Sequence, residues 1–321
     1  MPATDRLVAT RDGRRRPRSA LTRLGSYMLI ASALAGCSAD DKQKQNRSVD
    51  VFKEAAAVHT VTSKDGTRIA FDRAGNGAPV ILVNGALAGR EAGSEIARLL
   101  ARHFTVYSYD RRGRGDSGNN EPYAVEREIE DIEALIAEAG GTVHLVGFSS
   151  GAALALETAS ALDPKIGKLA IYEAPYDESA GAASKWKRYA AEQADLLAAG
   201  RRNEAVLHHL KFVGAPDAAV AEMKASPGWA GMVAMAPTLP HDVAVIGGDR
   251  SVPVERAAEV RADALVMDGE ASRETMPFMR VSADKLAQAI PNARRRTLQG
   301  QGHNASAEVV APVLIEFFSA R

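Results

Sequence analysis

Apolar and polar positions along this chain follow two periods. Residues 79–83 form an unbroken apolar run of strand length, the pattern of a strand buried on both faces. Residues 104–109, 143–147, 168–172, 264–267 and 295–297 read as further strands. Between and after them, helices are expected over about 91–103, 125–139, 151–162, 276–290 and 305–320. Ahead of the first apolar run, 58–62 and 67–71 flank Lys64-Asp65-Gly66 and predict a hairpin with an Asp-Gly turn. Strands alternating with helices of roughly 10–15 residues predict an α/β fold, a mostly parallel sheet with helices on both faces.

The rhythm breaks once. From 176 to 261 no strand pattern occurs, only helical stretches such as 184–199 and 203–212. A helical insertion between two strands of one sheet predicts a cap over the strand ends, where ligands bind in open α/β sheets. The expected core is therefore 56–175 with 262–321, and the cap is 176–261.

Where the strand at 143–147 meets the next helix, the sequence reads Gly147-Phe148-Ser149-Ser150-Gly151. A strand that turns this sharply into a helix strains the central residue and needs small neighbours two positions either side. It lifts the central hydroxyl above the sheet and aims the following N–H at whatever that hydroxyl attacks. Ser149 is thus the candidate nucleophile.

The zero net charge is uneven along the chain. Residues 1–36 carry seven Arg against two Asp, which leaves a mildly acidic body with no basic stripe for nucleic acid. The Arg-rich start precedes a short apolar run over 24–36, the form of an export leader rather than a membrane span. That run ends in Leu34-Ala35-Gly36-Cys37, which resembles a bacterial lipobox. The resemblance implies cleavage after 36, lipidation of Cys37 and attachment to a membrane. Residues 37–55 would then be a flexible tether. Cys37 is the only cysteine, so no intramolecular disulfide is possible. No phosphate-cradling loop and no zinc-ligand spacing occurs, so neither a cofactor nor a metal is expected.

With the serine turn, Asn84-Gly85-Ala86, Asp110-Arg111-Arg112-Gly113-Arg114-Gly115-Asp116-Ser117 and the late Gly302-His303, the chain resembles the α/β-hydrolase superfamily over about 58–320. Gly147-Phe148-Ser149-Ser150-Gly151 and Tyr172-Glu173-Ala174-Pro175 are most similar to serine ester or lactone hydrolases such as the zearalenone-type lactonases. The resemblance implies His303 as base and the backbone N–H groups of Ala86 and Ser150 as oxyanion donors. It implies a structural role for Asp110, Arg112 and Ser117. Asn84 stands where the family often has His, and either holds the loop or acts in the site.

The orienting acid stays open. Many family members carry Asp in a G-x-x-D loop after the penultimate strand, and here that position is Ser272. Glu173, at a strand end from which some members supply their acid, is the leading candidate, because a carboxylate there needs a partner. Asp268, Glu270 and a degenerate site are the alternatives. In the cap, Trp186, Trp229 and His241 are candidate substrate contacts, with His208 and His209 beside them, and two tryptophans favour a hydrophobic substrate. The reaction expected is cleavage of a small-molecule ester or lactone through an acyl-serine. The alternatives are a C–C or amide hydrolase with the same triad, and a non-catalytic ligand-binding lipoprotein.

Overall fold

A computed structural model describes residues 58–320. The expected leader, Cys37 and the whole of the expected tether lie outside the described residues. In chain order the strands are β1 (His59–Thr62), β2 (Arg68–Ala74), β3 (Pro79–Val83), β4 (Thr105–Tyr109), β5 (Val143–Phe148), β6 (Ile166–Tyr172), β7 (Asp263–Gly269) and β8 (Ala293–Leu298). They form one sheet in the order β1-β2-β4-β3-β5-β6-β7-β8. The β1–β2 and β2–β4 pairs are antiparallel and all later pairs are parallel, as the strand–helix alternation predicts.

The core helices are α1 (Ser94–Leu100), α2 (Val125–Glu138), α3 (Ser150–Ala161), α9 (Val254–Ala258), α10 (Ser272–Thr275), α11 (Phe278–Ala289) and α12 (Ala307–Ser319). Between β6 and β7 lie α4 (Ala182–Ala198), α5 (Arg202–Phe212), α6 (Asp217–Ala225), α7 (Trp229–Met235) and α8 (Leu239–Ile246). The helix expected over about 276–290 is found as α11, and a separate short helix, α10, precedes it. Met276 precedes Pro277 and takes φ −137°, ψ 63°, because a residue before proline is driven out of the helical region.

Apolar runs in the central strands serve two layers. In β3, Ile81 and Val83 face the layer of α2, α3 and α11, whereas Val80 and Leu82 face α1 and α12. The same division separates Leu169 and Ile171 from Ala170 and Tyr172 in β6. Alternation on a pleated strand makes both faces apolar, and each buried aliphatic side chain contributes roughly 1.5–3 kcal/mol. Strand β8, by contrast, is an Arg-rich edge, a charge pattern that discourages further strand pairing. Parallel strands put their C-terminal ends on one side, so the loops after β3, β5, β6, β7 and β8 converge there.

The insertion is not uniformly separate from the core. Leu87 joins Val206, Leu210, Met235, Ala236 and Leu239 in a cluster of its own under the cap. Val245 and Ile246 of α8, with Trp186 and Tyr189 of α4, belong instead to the main core cluster. Among the described residues no helix is long and apolar enough to cross a membrane.

Candidate active site

Strand β5 ends at Phe148, and α3 begins two residues later at Ser150. Ser149, between them, takes φ 55°, ψ −127°. The two flanking glycines are required by close approach. A Cβ on Gly147 would lie 2.3 Å from the Gly151 carbonyl oxygen, and one on Gly151 would lie 2.1 Å from that of Val83. Among the described residues, the non-glycine residues with positive φ are Leu87, Ser149, Glu173 and Arg250, and three of these four sit at the converging loops. Such backbone states cost about 1–3 kcal/mol each and persist where the surroundings over-determine them.

Three candidate residues meet here. Ser149 Oγ is 3.1 Å from His303 Nε2, and His303 Nδ1 is 2.7 Å from Glu173 Oε2. Glu173 is fully buried, and its Oε1 accepts a hydrogen bond of 2.8 Å from the Gly269 N–H. The carboxylate therefore receives Nδ1–H and leaves Nε2 as the acceptor facing Ser149. The loop after β8 brings His303 across, and Tyr172 Oη donates to the Gly302 carbonyl beside it.

The other carboxylates are engaged elsewhere. Asp268 Oδ1 accepts from Thr297 Oγ1 at 2.6 Å and pairs with Arg295 at 2.8 Å. Glu270 accepts from the Gly300 N–H at 3.1 Å. Ser272 Oγ is buried without a hydrogen-bond partner in the protein. Glu173 is the carboxylate that reaches the imidazole.

The loop after β3 lies against the serine turn, where a Cβ on Gly85 would come 3.0 Å from Ser149 Cβ. Asn84 is buried, and its Nδ2 donates to the Gly89 carbonyl at 3.1 Å, closing the loop that carries Ala86. The Ser150 N–H is the first of α3 and has no intrahelical acceptor. Ser117 Oγ ties the Asp110 carbonyl at 2.7 Å to the Ala70 N–H at 2.9 Å, and Arg112 forks onto Asp131.

A buried ion cluster adjoins this loop, and the sequence reading passed over it. Arg111, Arg114, Glu128 and Asp242 are each at most 3% exposed. Arg111 forks onto Glu128 at 2.7 and 2.8 Å. Asp242 accepts from Arg111, Arg114 and Ser150 Oγ. Burial pushes the Asp242 carboxyl up, but Arg114 and Arg111 outweigh it and hold the group below the usual carboxylate range. The available signal was an Asp, next to His241, inside the mostly apolar 239–246 stretch.

The expected cap contacts are occupied otherwise. Trp186 is buried, donates to the Gly247 carbonyl at 2.7 Å and lies under the Arg250 guanidinium. Trp229 donates to Asn203 Oδ1 at 2.9 Å and packs on the cap cluster. His241 stacks on Tyr123 with ring centroids 3.8 Å apart. The hydrogen bonds of the two tryptophans and the ring stacking of His241 are made to residues other than Ser149, His303 and Glu173. His208 pairs with Glu192, and His209 Nδ1 meets Tyr189 Oη at 2.7 Å. Burial pushes both His209 and His241 down to about 4, so neither is charged near neutral pH. Among the described residues no group of three or more His, Cys, Asp or Glu is arranged to hold a metal.

This geometry can deprotonate a serine hydroxyl during attack, orient the resulting imidazolium and return its proton to a leaving group. Comparison with known proteins gives a consistent picture. The family described as "Alpha/beta hydrolase family" matches residues 80–313. The chain is 48% identical to a solved alpha/beta hydrolase from Sphaerobacter thermophilus DSM 20745, over 81% of this chain and 100% of that one, with a TM-score of 0.73. It is 32% identical over 109 residues to a 2-hydroxy-6-oxo-6-(2'-aminophenyl)hexa-2,4-dienoic acid hydrolase of Metapseudomonas resinovorans, covering 32% of this chain and 38% of that protein. It is 33% identical over 104 residues to an N-formylmaleamate deformylase of Pseudomonas putida, covering 32% of this chain and 39% of that protein. These two matches therefore span well under half of either curated relative.

Proposed function

The chain belongs to the alpha/beta hydrolase family, and from that premise we propose that it cleaves a carboxylic ester or lactone through an acyl-Ser149 intermediate. The observation that carries this reading is the relay from Ser149 Oγ through His303 to the buried Glu173. Ser149 Oγ attacks the acyl carbon as His303 Nε2 takes its proton, and the carbonyl oxygen becomes an oxyanion held by the N–H groups of Ala86 and Ser150. His303 then protonates the departing alkoxide. Water, deprotonated by the same nitrogen, releases the acid and restores Ser149. Glu173 keeps the imidazole in the right tautomer and stabilises its charge.

A hydrophobic acyl or ring portion is the substrate feature best supported. Ala86 and Leu87, next to the scissile position in this scheme, pack into the apolar cluster of Val206, Leu210, Met235 and Leu239. On the motif at 34–37 alone, the reading also includes lipidation of Cys37 and a membrane tether.

Acid release in a pH-stat by residues 38–321 tests the reaction, using short and long acyl esters, aryl esters and small and macrocyclic lactones, with Ser149→Ala as the blank. Ser149-dependent release is expected, greatest with apolar acyl groups. No release from any of them refutes it. A second reading, C–C or amide cleavage by the same relay, is favoured by the partial similarity to the dienoic acid hydrolase and the deformylase. Product analysis separates the two, because only ester or lactone cleavage yields an alcohol. An absence of covalent reaction between Ser149 and a fluorophosphonate would instead favour a ligand-binding protein on this scaffold.

A further inference from the structure

The oxyanion donors of that scheme sit on two separate segments, the turn after β3 and the first residue of α3. These segments follow the paired strands β3 and β5 and pack against each other, and the side-chain bonds that tie one to the other converge on a single carboxylate. We propose that Asp242, on cap helix α8, is a positioning residue that holds both segments in register; the proposal rests on the acyl-transfer reading above.

Asp242 is almost fully buried, and its Oδ1 accepts from Ser150 Oγ at 2.7 Å, Arg111 Nη1 at 2.7 Å and Arg114 Nη2 at 2.9 Å. Its Oδ2 takes a further 2.9 Å bond from Arg114 Nη2. Arg114 Nη1 then donates to the carbonyls of Gly85 and, at 3.4 Å, Ala88, which bracket Ala86. Arg114 Nε reaches Thr238 Oγ1 at 3.2 Å, on the cap side. One carboxylate thus grips the residue that carries one donor directly, and the turn that carries the other through a single guanidinium. The turn needs such a grip, because Leu87 sits within it at φ 54°.

The cluster is balanced, with Arg111 and Arg114 against Glu128 and Asp242. Complete pairing offsets the desolvation, yet a buried ion cluster of this kind adds little net stability over an apolar packing. What it supplies is fixed geometry. Donors in a water-excluded site act at full strength only when they already point at the developing charge, and each is worth about 10²–10³ in rate. Because Asp242 belongs to the cap, seating α8 and aligning the oxyanion hole become one event.

The test compares wild type, Asp242→Asn and Ser150→Ala. Ser150→Ala keeps the backbone donor and every ion pair and deletes the hydroxyl's 2.7 Å bond to Asp242 together with a long 3.5 Å contact from Arg111 Nη1. Three readouts are needed: kcat and KM on an aryl ester, the rate of Ser149 phosphonylation by a fluorophosphonate, and Tm. In the phosphonylation, Ser149 Oγ bonds phosphorus as the P–F bond breaks, fluoride leaves, the proton passes to His303, and the phosphoryl oxygen occupies the oxyanion position. We expect kcat and phosphonylation to fall together, about 10–100-fold in Asp242→Asn and about 3–10-fold in Ser150→Ala, with KM within about twofold. The Tm of Ser150→Ala should stay within about 2 °C of wild type. Folded variants that phosphonylate at the wild-type rate, whatever their Tm, overturn the proposal. Should Asp242→Asn fail to fold, Ser150→Ala decides by the same criteria. A wild-type protein that is not labelled refutes the acyl-transfer reading, whereas equal labelling of all three refutes only the role of Asp242.

Discussion

Replacing Glu173 by Gln changes one oxygen for one NH2 group at a fully buried position. The side chain keeps its length, and its remaining carbonyl can still accept from the Gly269 N–H, now 2.8 Å from Oε1. The amide NH2 is left facing His303 Nδ1, where the carboxylate oxygen stands 2.7 Å away. An amide nitrogen cannot accept Nδ1–H, so the ring shifts its proton to Nε2 and no longer takes one from Ser149 Oγ. The charge that balances the imidazolium during attack is lost as well. For a triad acid, this combination lowers kcat by about 10³–10⁴-fold, or roughly 4–5.5 kcal/mol of barrier. KM should change little, because Glu173 lies behind the imidazole rather than against substrate. The matched control is Asp268→Asn, which alters a carboxylate equally buried but bound to Thr297 and Arg295. Its loss falls on stability, about 1–3 kcal/mol, with kcat within about fivefold. Steady-state kinetics on one aryl ester, with thermal unfolding of both variants, decides the matter. Equal, mild losses in the two variants, or a larger loss of kcat in Asp268→Asn, would refute the reasoning.

Three more substitutions probe other parts of the molecule. Gly151→Ala drives a methyl group to 2.1 Å from the Val83 carbonyl oxygen and 2.6 Å from that of Asn84. Both are backbone atoms that cannot step aside, so a loss of more than about 3 kcal/mol by denaturant titration is expected, and near-wild-type stability would contradict the close packing. His144 stacks on Phe318, its Nδ1 has no partner, and burial, with Lys168 nearby, pushes it down to about 4. Its folded value lies below its unfolded one, so the neutral form stabilises the fold above about pH 6.5, and that contribution is lost as pH falls toward 4. After discounting partial exposure this amounts to about 0.5–1 kcal/mol per pH unit in that window. His144→Phe should therefore flatten the fall of Tm between pH 6.5 and 4.5, and an unchanged slope would show that His144 does not titrate as argued. Cys37→Ser should move the full-length protein, expressed in a bacterium that processes lipoproteins, from the membrane fraction to the soluble one. Fractionation unaltered by the substitution would remove the case for the lipid.

What was legible in the sequence is what depends on neighbours along the chain. The serine turn was legible because its geometry is set by residues two positions apart, and Gly147 and Gly151 are the only side chains the facing backbone allows. The two-layered sheet was legible because a pleated strand with two apolar faces must be covered twice, as Ile81 and Leu82 are. His303 followed from the resemblance, which implies a histidine between the last strand and the last helix. The acid did not follow. Glu173, Asp268 and Glu270 all leave neighbouring strand ends, and the choice rests on which carboxylate is left to reach a nitrogen at 2.7 Å once β6, β7 and β8 are in register. Aromatic spacing in the cap could not distinguish packing from substrate contact either, because a helix presents the same face to a core as to a cavity, and Trp186 went to the core. Asp242 was furthest from view. Its bond to Ser150 closes a gap of 92 residues, and a charge buried among apolar neighbours declares only that it has a partner. Which partner, and that it grips the residues set to stabilise the developing charge, is decided only when the cap helix docks on the elbow.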